Sequence, residues 1–386
     1  MLMGLLILAL AALERINVVT AAAGPVEQAG GHYRVLAPIE SGNLLLFPVV
    51  RTEGNANGAT PFLTLDEGIK SGRVEVTEAG KVQGLVRPRG SEPAFHSHVF
   101  RGDEVNTLVL VNNSKQPLLL LAGEIVTGGK QDRVIAKDRI VPAESSPIDL
   151  SVFCIEPGRW TESSAKFGAS ASAPRGSFMV QPTVRQKAMV AKDQQQVWSA
   201  VGGAISNMAA APSPSVGPNA EHRTAIATTS YAKAMQDNAV NLKVEEAAAP
   251  VMKSRDEVLA RLREEHAIGV VVAVRGEIVW ADLFADTELL SHYWTKLVRS
   301  YAAESLAAGE SHAAPKVADA QRFLDAPAGG TETSEGQVGI YRYSELKSQG
   351  TDTFVLESLL PKTNYDVHIS RLKLKDGGSS AKVNRF

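Results

Sequence analysis

The densest group of chemistry-bearing residues is Gly123-Glu124-Ile125-Val126-Thr127-Gly128-Gly129-Lys130-Gln131-Asp132-Arg133, which follows the apolar run Leu118–Leu121 directly. Glycines let backbone amides converge on an anion without Cβ clashes, so Gly123, Gly128 and Gly129 are candidate ligand donors, with Gln131 beside them. Lys130 and Arg133 are candidate charges for a phosphate or carboxylate. Glu124 and Asp132 are the candidate catalytic pair, as general base or ribose-hydroxyl acceptor. The stretch is not a P-loop, because an extra residue separates Gly123 from Gly128-Gly129-Lys130 and Gln131 stands where that motif needs a hydroxyl for magnesium. The plain structural alternative is a β-hairpin whose charged tip is held by salt bridges.

Three further groups merit weighing. Arg159 and Trp160, in Glu156-Pro157-Gly158-Arg159-Trp160, offer an ion pair and a stacking face to a nucleotide, against the simpler reading of a turn with a packed tryptophan. His96 and His98 would share one strand face, as a metal on a β-scaffold requires, and they approach the first cupin motif without a recognisable second half. No metal site is assigned on that basis, and surface histidines are the simpler account. His266, His292 and His368 are scattered and read as surface or packing residues. Cys154, the single cysteine, excludes an internal disulfide and a cysteine zinc cluster; within Val152-Phe153-Cys154-Ile155 it reads as an inert core thiol.

The elements that must position these residues divide by composition. Leu44–Val50, Arg73–Thr77, Thr107–Val111, Leu118–Leu121, Arg139–Val141 and Leu150–Ile155 are short β-branched and leucine runs split by turn residues. Pro48 lacks the amide a central ladder needs, which predicts an edge strand or a loop there. Helical spacing of Val190, Val197, Val201, Ile205 and Met208 follows, then a Pro/Ser-rich connection over 209–220 and a second helix near Thr228–Val244. Ser254-Arg255-Asp256-Glu257 matches a capping box for a helix to about His266. Gly276-Glu277 is expected to turn a hairpin between Gly269–Arg275 and Ile278–Phe284, and Asp286 to cap a helix presenting Leu289, Tyr293, Leu297 and Tyr301 to the core. Residues 309–336 read as a linker, and Val338–Leu346, Thr353–Leu360 and Asp366–Leu374 as three strands.

The expected organisation is thus α+β: a leader over 1–23, a β-rich half over 24–160 forming a sandwich or barrel-like sheet, a helical and linker region over 161–250, a helix-hairpin-helix region over 251–308 packed on it, and C-terminal strands over 337–386. Forty Lys+Arg against 42 Asp+Glu give a formal charge of −2, so no global field recruits nucleic acid or an anionic membrane surface. Residues 4–13 are an apolar run followed by Ala21-Ala22-Ala23 before Gly24, a leader pattern that predicts export to the periplasm or outside the cell; with a mis-assigned start the chain would be cytoplasmic. No window after it reaches the ~20 apolar residues of a membrane span.

At Pro61–Thr77, Leu118–Arg133 and Asp149–Trp160, and again at Gly269–Tyr301, the sequence resembles the ARG-and-Rhodanese-Phosphatase-superfamily-associated protein domain family, with Gly-Gly-Lys-Gln-Asp-Arg as the most specific element. The resemblance spans about Tyr33 to Ala308. It implies a role in metabolism or signalling based on NAD and ADP-ribose and brings no established catalytic residues. The leading expectation is binding or hydrolytic processing of an ADP-ribose-like or other phosphate-bearing small molecule at 122–133; no cofactor is assigned. The alternatives are a non-catalytic extracytoplasmic module whose charged turn meets a protein partner and, more weakly, a metal-dependent β-barrel enzyme using His96 and His98.

Overall fold

The computed structural model describes residues 32–52, 62–78, 81, 107–159, 161–170, 177–212, 227–253, 255–328, 330–361 and 365–374. The expected leader over 1–23, His96, His98, Trp160, Ser254 of the expected capping box and the tail from Asp376 lie outside them. Among the described residues no helix is long and apolar enough to cross a membrane, and no group of three or more His, Cys, Asp or Glu side chains is placed to hold a metal ion.

The fold is mixed α+β with a β-rich N-terminal half. Its largest sheet has the order Tyr33–Val35, Leu44–Arg51, Ala267–Val274, Glu277–Phe284, Tyr365–Lys373, Thr351–Ser358, Tyr341–Lys347, Thr331–Gln337, with Ile39–Ser41 also pairing on Leu44–Arg51. All its pairings are antiparallel. Every residue of Ala267–Val274 is buried, because its side chains alternate between two cores: Val270, Val272 and Val274 face the helices, whereas Val271 and Ala273 face Phe323 and Leu324 of the helix Val317–Asp325. The sheet is therefore a middle layer, which explains a strand apolar on both faces in an antiparallel setting.

A second lobe combines the six strands Gly168–Ala169, Ile125–Thr127, Arg133–Ile135, Ile148–Cys154, Thr107–Asn112 and Val74–Glu78 with the three strands Arg139–Val141, Leu118–Leu120 and Leu63–Thr64. Both sets send residues into one apolar core, among them Val76, Leu110, Leu118, Val141 and Val152, which gives the lobe its barrel-like character. In Ile148–Cys154, Leu150, Val152 and Cys154 point inward while Asp149 and Ser151 are exposed, the alternation of a half-buried strand.

Several expectations need correction. Pro48 sits in an interior strand, paired with Val270 on one side; on the other it faces the interval between Tyr33–Val35 and Ile39–Ser41, and its carbonyl accepts from Leu36 at 2.8 Å. The missing amide thus falls where neither of those short strands pairs. The hairpin turns on Arg275-Gly276, one residue earlier than predicted, with φ of 51° and 83° at the two positions. Positive φ at both central residues is what a type I′ turn requires. Residues 309–336 are not a bare linker: they hold the helix Val317–Asp325 and most of the strand Thr331–Gln337. Among the described residues the C-terminal strands number four, and Tyr365–Lys373 joins them to the main sheet through Glu277–Phe284. The helical run starting at Val190 is broken at Lys192, whose φ is 51°. A five-residue π-turn precedes that break, and Asp193 caps the helix Gln194–Ala210. The helix expected near Thr228–Val244 is two, Tyr231–Gln236 and Asn238–Lys253.

Candidate functional site

Ile125–Thr127 and Arg133–Ile135 pair as a short hairpin, so the glycine-rich stretch is its tip. Gly128 and Gly129 adopt φ of 133° and 52°. That left-handed backbone, open to glycine, aims three successive amides inward. Each meets an acceptor of the chain itself: Gly128 donates to Asp132 Oδ1 at 3.0 Å, Gly129 to Ser164 Oγ at 3.4 Å and Lys130 to Glu78 Oε1 at 3.0 Å. A Cβ on Gly129 would stand 2.3 Å from Phe167 Cζ, so packing as well as backbone conformation demands glycine there. Arg133 is wholly buried, with Nη2 3.6 Å from Glu78 Oε1 and Nη1 donating to the Gln131 carbonyl. Gln131 is also wholly buried, and neither polar atom of its side chain has a hydrogen-bond partner.

Around this tip Glu156, Asp132 and Glu75 are buried, and the lysines paired with Glu156 and Glu75 reach solvent. Glu156 Oε2 accepts from Arg159 Nε at 2.5 Å and Oε1 from Lys233 Nζ at 2.8 Å; the Glu156 side chain is 3 % exposed and that of Lys233 59 %. Asp132 accepts from Ser230 Oγ at 2.9 Å and lies 3.4 Å from Arg159 Nη2. Burial pushes the Asp132 carboxyl up, and neighbouring Glu156 adds to the rise. Arg159 also donates to the Gly129 carbonyl at 2.8 Å, clamping the tip. Lys166, likewise exposed, pairs with buried Glu75, and Lys130 projects from the tip into solvent.

Glu124 belongs to a different cluster. Its Oε2 accepts from the Leu121 amide at 2.8 Å, and its Oε1 lies 2.6 Å from Lys296 Nζ, which is also 2.7 Å from Asp66 Oδ2. Burial raises the Glu124 carboxyl although Lys296 opposes the shift; two carboxylates sharing one ammonium also hold the Lys296 proton tightly. Gly123, at φ 94°, packs against Met179 and Arg185 and takes no part in the tip.

A third cluster lies between the two lobes' elements. His368 Nδ1 is 2.6 Å from Asp138 Oδ2, and its Nε2 is 3.1 Å from Asp282 Oδ1, an ion pair off hydrogen-bond alignment. Asp282 receives Arg185 Nη1 at 2.8 Å, Ser370 Oγ at 2.8 Å and the Tyr301 hydroxyl. Burial alone would raise the Asp282 carboxyl; Arg185 and His368 outweigh it and hold it far below the ordinary range. His368 is fully enclosed, which disfavours its charged form, yet the two aspartates prevail and its pKa is raised.

The structure thus unites Gly128, Gly129, Lys130, Gln131, Asp132, Arg133 and Arg159, and separates Gly123 and Glu124 from them. Cys154 is buried in its strand, and burial raises its thiol pKa. Sequence reasoning missed Asp66, Asp138, Arg185, Ser230, Lys233, Asp282 and Lys296, and gave His368 no distinct role. A signal was present only for Asp282 and Lys296, charges among the apolar runs of the hairpin and the long helix Thr287–Ser305.

These features define a class, an α+β domain with a barrel-like lobe docked on a long antiparallel sheet and a clamped glycine hairpin at its edge. The sequence profile of the ARG and Rhodanese-Phosphatase-superfamily-associated Protein domain matches residues 32–372, and the chain belongs to that family. The match extends beyond Ala308 to take in the C-terminal strands, consistent with their place in the main sheet. Searches of curated proteins and of solved structures gave no match.

Proposed function

We propose that this protein binds a phosphate-bearing small molecule of the ADP-ribose kind on the rim of the glycine hairpin, without performing chemistry on it. One observation carries the reading: Glu75 and Glu156 are buried while their partners Lys166 and Lys233 reach solvent, so these two lysines, with exposed Lys130, present positive charge around the tip. Catalysis is not part of the reading, since both Asp132 oxygens are engaged by Gly128, Ser230 and Arg159, and Glu124 faces Lys296. The family's association with ADP-ribose chemistry supplies the ligand class.

The test is a thermal-shift titration with ADP-ribose and, separately, pyrophosphate. Ligand at ~100 times its dissociation constant adds about 2.7 kcal/mol to folded-state stability, readable as a rise in melting temperature. The rise should saturate, and should vanish in Lys130→Ala/Lys233→Gln, in which the glutamine amide keeps a donor for buried Glu156 and the melting temperature without ligand reports the fold. A flat titration at millimolar ligand discards the proposal.

A further inference from the structure

Lys296, Asp66 and Glu124 form a buried cluster of one ammonium between two carboxylates. Three remote elements converge on it. Lys296 comes from the long helix Thr287–Ser305, and Asp66 from the first turn of Leu65–Lys70, where a Thr64/Glu67 capping box fixes the backbone. Glu124 comes from the bend before Ile125–Thr127, with one carboxylate oxygen tied to the Leu121 amide. The side chains of Lys296 and Glu124 are 4 % and 2 % exposed, and that of Asp66 is 12 %. The Tyr293 ring, 5.2 Å from Nζ, encloses the amine, and the Tyr293 hydroxyl is held by the Leu119 carbonyl at 3.0 Å.

Burying one ammonium between two carboxylates strips three ions of water and leaves a net negative charge, a costly arrangement for a purely structural tie. An amine and a carboxyl held in contact away from water are also the reactants of amide formation, and fixing them replaces an encounter by an intramolecular step. We propose that Lys296 and Asp66 condense to an intramolecular isopeptide bond, with Glu124 as the proton carrier.

In this step Glu124 takes one proton from the Lys296 ammonium, across the 2.6 Å contact, and frees the lone pair on Nζ. Nζ attacks Asp66 Cγ, and the C–N bond forms. Ser177 donates a hydrogen bond to Asp66 Oδ2, where negative charge gathers. The C–O bond then breaks; the departing oxygen receives the proton held by Glu124 and a second from Nζ, and leaves as water. Ammonium plus carboxylate thus become amide plus water, Glu124 is regenerated, and no oxidant or co-reactant is consumed. Burial favours the acid form of Glu124 while the two carboxylates hold the proton on Lys296, so the free amine is a minor species that the attack on Asp66 draws off.

The experiment is mass spectrometry of the folded full chain with a tryptic map. The expected mass is lower than that of the sequence by one water. The map should join the peptide ending at Lys70 to the one beginning at Gly276, with cleavage after Lys296 lost because its amine is acylated. Lys296→Arg and Glu124→Gln should each show the full mass and separate peptides. A wild-type chain with free Lys296, or a lost water mapped to any acceptor other than Asp66, overturns the proposal, and this reading does not depend on how well the variants fold.

Discussion

His368 Nδ1 lies 2.6 Å from Asp138 Oδ2 with both side chains fully enclosed, so a strand near the C-terminus and the 118–141 segment are tied by one proton across 230 residues of sequence. The folded-state pKa of His368 is raised, so its contribution to stability is complete below the ordinary histidine value and is lost as pH rises through the folded value. Asp138, Asp282 and Arg185 surround the ring; losing the proton leaves the group with one net negative charge. The urea midpoint is therefore expected to fall as pH is raised above neutrality. His368→Gln should flatten that dependence and cost about 3–5 kcal/mol by leaving a buried carboxylate unpaired. An unchanged alkaline slope in the variant would remove His368 as its origin.

Arg185 should not be replaceable by lysine. Its guanidinium donates to Asp282 and Ser370 at once, at 2.8 and 2.9 Å, and lies 4.7 Å from the centre of the Trp280 ring. A lysine is a point charge that cannot reproduce this fork and stack. Arg185→Met should destabilise by about 3–5 kcal/mol, and Arg185→Lys should recover only part of that loss. Full recovery in denaturant unfolding would show that charge alone suffices.

Two glycines with similar φ should respond differently to alanine. Gly129 at φ 52° would drive a Cβ into Phe167 and to 2.6 Å from Glu78 Oε1, whereas Gly42 at φ 57° meets nothing within 4 Å. Gly129→Ala should cost about 1–3 kcal/mol from overpacking, on top of the backbone strain that both share. Equal melting temperatures for the two variants would mean that the hairpin tip yields freely.

Gln321 protects an edge strand. Its side-chain amide accepts from Val35 at 2.9 Å and donates to the Tyr33 carbonyl at 3.0 Å. The helix Val317–Asp325 thus offers the edge a peptide-like partner. Gln321→Ala should lose about 1 kcal/mol, because the buried Val35 amide and the half-buried Tyr33 carbonyl lose their partner, and should increase aggregation on heating. Light scattering during a thermal ramp reads the second effect; an unchanged onset would leave Gln321 with no protective role.

Elements whose cause lies within a few residues were legible in the sequence. Asp286 caps its helix by accepting from the Leu289 amide, three residues on, at 2.8 Å. Leu289, Tyr293, Leu297 and Tyr301 form the buried face of that helix. Both features were readable because capping and 3.6-residue periodicity are local. The six N-terminal runs expected as strands each form one for the same reason, short apolar runs bounded by turn residues, whereas shorter pieces such as Tyr33–Val35 and Ile125–Thr127 carried no such signal. The hairpin turns one residue earlier than expected because Arg275 itself takes positive φ, a conformation that a sequence reading reserves for glycine, asparagine and aspartate.

The charge clusters were decided by tertiary structure. Pro48 read as an edge residue because its amide is missing, and only the sheet order revealed that the gap between two short strands absorbs the loss. Glu124 stands four residues from Gly128 yet serves Lys296, 172 residues away, since a strand separates the two carboxylates of the turn and the core selects which way each faces. A sequence specifies which groups carry charge and how the chain is locally shaped; which cation each buried carboxylate meets depends on long-range packing, where the cost of leaving an ion unpaired in a low dielectric selects the partner.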